Sequence, residues 1–405
     1  MTRATAAAAR TAQASFGALL AASLCHFLND LMQSLFLAAY PILKTGLNLS
    51  FAQVGLLTLT YQATGSLLQP VIGLYTDRRP QPYSLPFGMA ASLSGVLVVA
   101  FATHYLMLVG GAVLLGLGSS IFHPETSRLA RLASGGRHGL AQSIFQIGGN
   151  SGTAVGPLLV AFVVLPHGRA SLAWFSLAAL LGVVVMTGLG RWYSRHLRAR
   201  ATTRSAPPPL ARPRREVMQV MAVLLILIVS KYFYMASLTS YYTFYMMHHF
   251  GLDSDQAQLA LFVFLAGMAL GTMIGGPLGD RLGRKRVIWG SILGTLPFSL
   301  ALPWASLPET VVLSGCIGLI LASAFPSIIV YGQELMPGRV GMVSGLFFGL
   351  AFGMGGLAAA LLGVVADYEG IDFVYRICAF LPALGLFAAL LPDLDRPAAT
   401  AAAPA

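Results

Sequence analysis

Five polar side chains, His26, Asn29, Asp30, Gln33 and Tyr40, fall at spacings of three, four and seven within an apolar stretch near the start of the chain. At 3.6 residues per turn these spacings place them on one helical face. Ionisable groups are costly in hydrocarbon, so the stripe has to face a water-filled cavity. Asp30 sits near mid-depth. A carboxyl there that changes protonation as the cavity faces one side and then the other meets the requirement for proton coupling. A satisfied interhelical hydrogen bond without a coupling role is the alternative.

Further polar sets follow at helical spacing. Phe122-His123-Pro124-Glu125 precedes Arg128 and Arg131; His123 and Glu125, two apart, point to opposite faces, whereas Glu125 and Arg128, three apart, can pair. These are candidates for transport or, alternatively, a structural ion pair. Lys231 heads a stripe with Tyr234, Tyr241 and Tyr245, and a cation beside phenols suits an anionic ligand. Lys231 and Tyr234 are expected in the cavity, and Tyr241, Tyr242 and Tyr245 in the interfacial aromatic belt. Gln142, Gln146 and Asn150, four apart, and Ser327, Tyr331 and Glu334 make two more polar faces of the kind that glues helices together.

The elements that position these residues are membrane helices. The chain is 56% hydrophobic and 10% charged, against roughly 25% charged in soluble domains. Apolar runs long enough to cross about 30 Å of hydrocarbon recur from Ser15 to Leu391, giving twelve spans: 16–44, 51–75, 84–103, 106–131, 137–164, 170–192, 217–247, 256–279, 286–304, 309–335, 339–365 and 372–391. No small-residue cleavage site follows the first run, which reads as a retained helix, with a signal peptide as the minor alternative. With the N-terminus inside, 21 of the 25 Lys and Arg residues lie on the inner side, so both termini are expected in the cytoplasm. Topology and anionic lipids account for the net charge of +11 without a nucleic-acid partner. Cys25, Cys316 and Cys378 imply neither a disulfide framework nor a metal, and His248-His249 lacks an acidic partner at ligand spacing. No cofactor and no catalytic constellation such as His-Glu-xx-His is present, which argues against an intramembrane enzyme.

A repeat organises the chain. Gly73-xxx-Asp77-Arg78 and Gly276-xxx-Asp280-Arg281 are offset by 203 positions, and Pro124/Pro326, Arg137/Arg339 and Gly139/Gly341 by 202. Residues 193–216, rich in Arg and Pro, have linker composition. The domains expected are a tail (1–15), a six-helix half (16–192), a linker (193–216), a second half (217–392) and a disordered tail (393–405). Duplicated membrane halves are how alternating-access carriers are built. The two loops resemble the signature of the major facilitator superfamily, fully in Gly276-xxx-Asp280-Arg281-x-Gly283-Arg284-Lys285 and incompletely in the first copy, which turns to Arg79-Pro80 after Arg78. Gly73, Asp77, Arg78, Gly276, Asp280, Arg281, Gly283 and Arg284 are thus expected at a cytoplasmic gate, where Asp and Arg pair across the mouth and release. Gly152, Gly156 and Pro157 in the fifth span resemble the core of an antiporter motif; close helix packing alone is the other explanation.

Longer strings narrow the resemblance. Tyr61-Gln62, Ser66-Leu-Leu-Gln69-Pro70, Phe122-His123-Pro124-Glu125, Arg137-His138-Gly-Leu-Ala-Gln142-Ser143, Ser230-Lys231-Tyr232-Phe-Tyr234 and Gly338-Arg339-Val-Gly-Met-Val-Ser344-Gly345 are similar to the fosmidomycin resistance family, over nearly all of 17–393. That resemblance implies an inner-membrane exporter of small anionic drugs, working as a monomer among membrane lipids and exchanging protons for substrate. Fosmidomycin, a phosphonate with a hydroxamate, is anionic at neutral pH, so Lys231, with Arg128 or His123, would be its charge partner. A proton-coupled uptake symporter shares the same scaffold and is the rival.

Overall fold

A computed structural model describes residues 15–49, 51–201, 213–252 and 254–392, and all regular structure among them is helical. The described chain forms twelve rods: α1 (Phe16–Ala38, resuming as Tyr40–Gly46), α2 (Phe51–Arg78), α3 (Ser84–Ala100), α4 (Tyr105–Ala133), α5 (His138–Leu159), α6 (Ser176–Ala201), α7 (Arg214–Phe250), α8 (Ser254–Leu282), α9 (Arg284–Ala301), α10 (Leu307–Ala322, resuming as Ala324–Leu335), α11 (Val340–Glu369) and α12 (Ile371–Cys378, resuming as a 3₁₀ segment Leu381–Leu390). They match the twelve expected spans. Helix α6 runs to Ala201, so the first third of the expected linker is helical; residues 202–212 and the tails 1–14 and 393–405 lie outside the described residues.

Eight rods are long and apolar enough to cross a membrane by length and composition. The four others have physical reasons for falling short. α3 has 17 residues, and α1, α2 and α5 carry the polar faces of His26 and Asp30, Gln62 and Gln69, and Gln142 to Asn150. Many large apolar side chains point outward, as in Phe162, Leu177 and Leu386, where a soluble protein would place charge.

Helices α1 to α6 pack as one half and α7 to α12 as another. The halves meet along two seams, α2 against α11 and α5 against α8. Glycines let the backbones touch: a Cβ at Gly73 would overlap the Gly341 carbonyl, and one at Gly276 that of Gly139. These contacts lie toward the end bearing Arg78, Arg79, Arg281 and Lys285, called here the basic end. Gly283, at φ 92°, makes the tight turn from α8 into α9 there.

Candidate functional site

Beyond the seams, toward the other end, a cavity of about 430 Å³ separates the halves. Asp30, Gln33 and Ser34 of α1 line one wall with Tyr61 and Gln62 of α2; Tyr232 and Met235 of α7 and Phe352 of α11 line the other. Of the expected α1 stripe, Asp30 and Gln33 line the cavity, whereas His26 and Asn29 are buried and Tyr40 does not line it.

At the edge of the cavity Asp30 meets two imidazoles. Its Oδ2 lies 3.2 Å from His26 Nε2 and its Oδ1 3.6 Å from His123 Nε2, while the two Nε2 atoms are 3.3 Å apart. Each ring donates its Nδ1–H to a backbone carbonyl, His26 to Phe145 at 2.8 Å and His123 to Ser119 at 3.0 Å. That fixes both tautomers with Nε2 as the bare nitrogen in the neutral ring. Asn29 Nδ2 donates to Asp30 Oδ1 at 3.0 Å, Gln33 Nε2 reaches the same oxygen at 3.5 Å, and Tyr61 donates its hydroxyl to Gln33 Oε1. Close packing of α5 permits the cluster: a Cβ at Gly149 would strike both His26 Nε2 and Asp30 Oδ2, and the same glycine ladder continues with Gly152 against Phe27 and Gly156 against Ser34. Helix α5 is α-helical through Pro157 and changes to a π turn at Val160–Val164.

Lys231 is buried on the opposite half and makes no ion pair among the described residues. Its Nζ lies over two rings, 4.8 Å from the centroid of Phe325 and 5.4 Å from that of Tyr232. Phe325 packs edge-on against Phe348 at 5.3 Å, and Phe348 touches His123 at 5.0 Å. An aromatic wall therefore stands between the ammonium and the acidic cluster. Lys231 itself does not line the cavity; its neighbour Tyr232 does.

Several other expected site residues fall elsewhere. Tyr234 is buried among Leu238, Tyr242 and Tyr375 within the second half, because the cavity face of α7 runs through Tyr232, Met235 and Thr239. Tyr242 and Tyr245 are buried instead of forming an interfacial belt: Tyr242 donates to Ser314 at 3.0 Å, and Tyr245 stacks on Tyr375 at 4.0 Å. Glu125 and Arg128 form an ion pair at the basic end, where Arg128 also donates to the Thr76 carbonyl at 2.6 Å and approaches Asp77 at 3.5 Å. Asn150 bridges the α5–α8 seam to Thr272 at 3.1 Å, and Gln146 is buried beside it on α5 without lining the cavity. His249 meets Asp372 of α12 at 2.9 Å.

The two signature loops act alike. Asp77 accepts from the backbone N–H groups of Gly341 and Met342 at 2.9 and 2.8 Å; Asp280 accepts from those of Gly139 and Leu140 at 3.0 and 2.9 Å. Each carboxylate thus caps the first turn of a helix from the opposite half, where the unpaired N–H groups and helix dipole favour negative charge. The expected pairing of Asp with Arg across the mouth is not seen among the described residues: Arg78 and Arg281 are exposed. Arg284 instead supplies the cation, 3.0 Å from both Asp280 and Glu334. Gln81 stands one turn after Asp77, and Arg128 of α4 takes the corresponding place. The incomplete first signature therefore loses no cap.

A buried polar knot occupies the centre of the basic end. Gln333 of α10 donates to Ser344 at 2.8 Å and Ser127 at 3.2 Å and accepts from Arg131 at 3.2 Å, while Ser127 donates to Gln142 at 3.0 Å. Arg131 and Gln333 are 202 positions apart. The repeat offset was the available signal: equivalent residues near a pseudo-two-fold axis meet each other.

Comparisons agree with this architecture. The family model of the Major Facilitator Superfamily matches residues 22–245 and 223–404. The fosmidomycin resistance protein of Escherichia coli (strain K12) is 58% identical over 388 residues, 96% of each chain, and an uncharacterized transporter of Bacillus subtilis (strain 168), YfnC, is 41% identical over 91% of each. Among solved structures, the transporter FucP in its outward conformation superposes with a TM-score of 0.72 at 14% identity, over 93% of this chain and 98% of that one, a likeness of fold. A duplicated twelve-helix bundle, a cavity between its halves and these relatives make the chain a multi-pass membrane transporter, not an enzyme, of the major facilitator superfamily and, within it, of the family of the fosmidomycin resistance protein.

Proposed function

We propose that this transporter exports small anionic drugs of the fosmidomycin type across a bacterial inner membrane in exchange for protons. The basic end and both termini face the cytoplasm, where its arginines meet anionic lipids. One observation carries the proposal: buried groups of opposite charge flank the aromatic wall at the cavity, Asp30 with its imidazoles on one half and the uncompensated Lys231 on the other. The relative named for fosmidomycin resistance, aligned over 96% of the chain, supplies the substrate class.

Asp30, His26 and His123 hold the coupling proton, and Lys231 receives the drug's anionic group when Phe348 moves aside. Asp77, Asp280 and Arg284 gate the cytoplasmic end by capping α11 and α5 in the state seen here and releasing them in the other. Every helix that lines the cavity belongs to one chain, which suits a monomer.

Uptake by proton symport is the second reading. It draws on Asp30 being the acidic group that lines the cavity, since protonating it removes repulsion toward an anion and would load both together. Inverted vesicles separate the two. With an acidic interior, antiport drives fosmidomycin inward and a protonophore abolishes the accumulation; Asp30→Asn stays in the membrane and loses it. Accumulation indifferent to the gradient would sink proton coupling, and accumulation driven by an alkaline interior would establish symport.

A further inference from the structure

We propose that His26, Asp30 and His123 form a binding site for a divalent transition-metal ion of the Zn²⁺ class, with an open coordination position toward the cavity. The inference shares its three residues with the proton site proposed above but rests on their geometry alone. It begins from donors and acceptors. Both Nδ1–H groups are committed to backbone carbonyls, Phe145 at 2.8 Å and Ser119 at 3.0 Å. In the neutral rings two Nε2 lone pairs therefore converge on each other and on a carboxylate, with no hydrogen between them. Such a cluster is completed by a positive centre, a proton or a metal ion.

The spacing fits a metal. An ion held by imidazole nitrogens and a carboxylate oxygen at about 2.0–2.2 Å in tetrahedral geometry needs ligand atoms roughly 3.3–3.5 Å apart. The separations are 3.3 Å between the nitrogens, 3.2 Å from His26 Nε2 to Asp30 Oδ2 and 3.6 Å from His123 Nε2 to Asp30 Oδ1, and the ligand atoms all lie within 4.8 Å of one another. The carbonyl partners on Nδ1 are the second-shell contacts that fix a metal-binding histidine. Asn29 plays that part for the carboxylate. Three protein ligands leave a fourth position free, as in open zinc sites. It faces the cavity, because Asp30 keeps 14% of its side chain exposed while His123 keeps none. Spacing along the chain pairs His26 with Asp30, four apart, but not with His123, which comes from another helix.

Purified full-length protein in lipid nanodiscs, stripped of metal, is titrated with Co²⁺, then Zn²⁺. One equivalent of Co²⁺ is expected to bind with the visible absorption of a four-coordinate ion and to be displaced by Zn²⁺. His26→Gln, His123→Gln and Asp30→Asn should each weaken binding at least about tenfold. A His248→Gln/His249→Gln variant, which removes the exposed His–Asp cluster at the far end, should leave it unchanged. X-ray absorption on the Zn²⁺-loaded wild type guards against variants that misfold: it should show two imidazoles at about 2.0–2.1 Å. No saturable binding by the wild type, binding that follows His248 and His249, or a shell without imidazole would overturn the site. Gradient-driven drug transport in chelator-treated vesicles tests the transport reading separately, so either can fail alone.

Discussion

Asp77 and Asp280, 203 positions apart in sequence, each bind two consecutive backbone N–H groups of a helix in the opposite half, at 2.8–3.0 Å. The relation is reciprocal. The first half is fastened to α11 and the second to α5, so the closed basic end is held by two equivalent caps.

Removing a cap charge should therefore bias the carrier toward opening at that end. A carboxylate at a helix N-terminus contributes about 0.3–1 kcal/mol, up to ~2 when partly buried. Asp77→Asn and Asp280→Asn should each raise the open population between two- and about thirty-fold. Alkylation of single cysteines placed behind the α2–α11 seam reports it. Unequal effects, with Asp77→Asn silent, would mean that Arg128 does not replace the missing signature residues.

Gln333 ties both halves at the centre of that end. Gln333→Leu leaves Ser127 and Ser344 without a shared partner and Arg131 without an acceptor it now uses, at about 1–3 kcal/mol for buried groups left unmade. The same cysteines should react faster. Combined with Asp77→Asn, the two effects are expected to be non-additive, because Arg131 and Arg128 share one helix.

Gly149 should tolerate no side chain. Gly149→Ala drives a methyl into His26 and Asp30, an overpacking worth about 1–3 kcal/mol. Thermal unfolding should fall by several degrees and transport should fail. Gly110→Ala, which meets open space, is the control and should change neither.

Lys231 separates stability from function. Burying an unpaired ammonium is costly, and its ring contacts offset only part of that. Lys231→Met should raise the melting temperature while lowering efflux of an anionic drug at least about tenfold, the loss of one charge-assisted contact of roughly 1.4 kcal/mol. Full efflux by the variant at normal expression would remove Lys231 from the substrate path.

The sequence by itself determined the bilayer, twelve spans, the duplication and the polar helical face that carries Asp30. All four are one-dimensional quantities: run length, offset and a 3.6-residue period. The same local rules paired Glu125 with Arg128, three apart. The tertiary structure decided everything that depends on how helices are rotated against one another. Tyr232 and Tyr234, two positions apart, point about 200° apart around α7, so the rotation of that helix puts Tyr232 and not Tyr234 at the cavity, and Tyr242 and Tyr245 turn inward for the same reason. It also decided which distant partners meet: His123 with Asp30, and Asp77 with the start of α11. No spacing along the chain encodes those distances, because each is set by how two separate helices pack, at the α2–α11 seam through glycines whose missing side chains let the backbones approach.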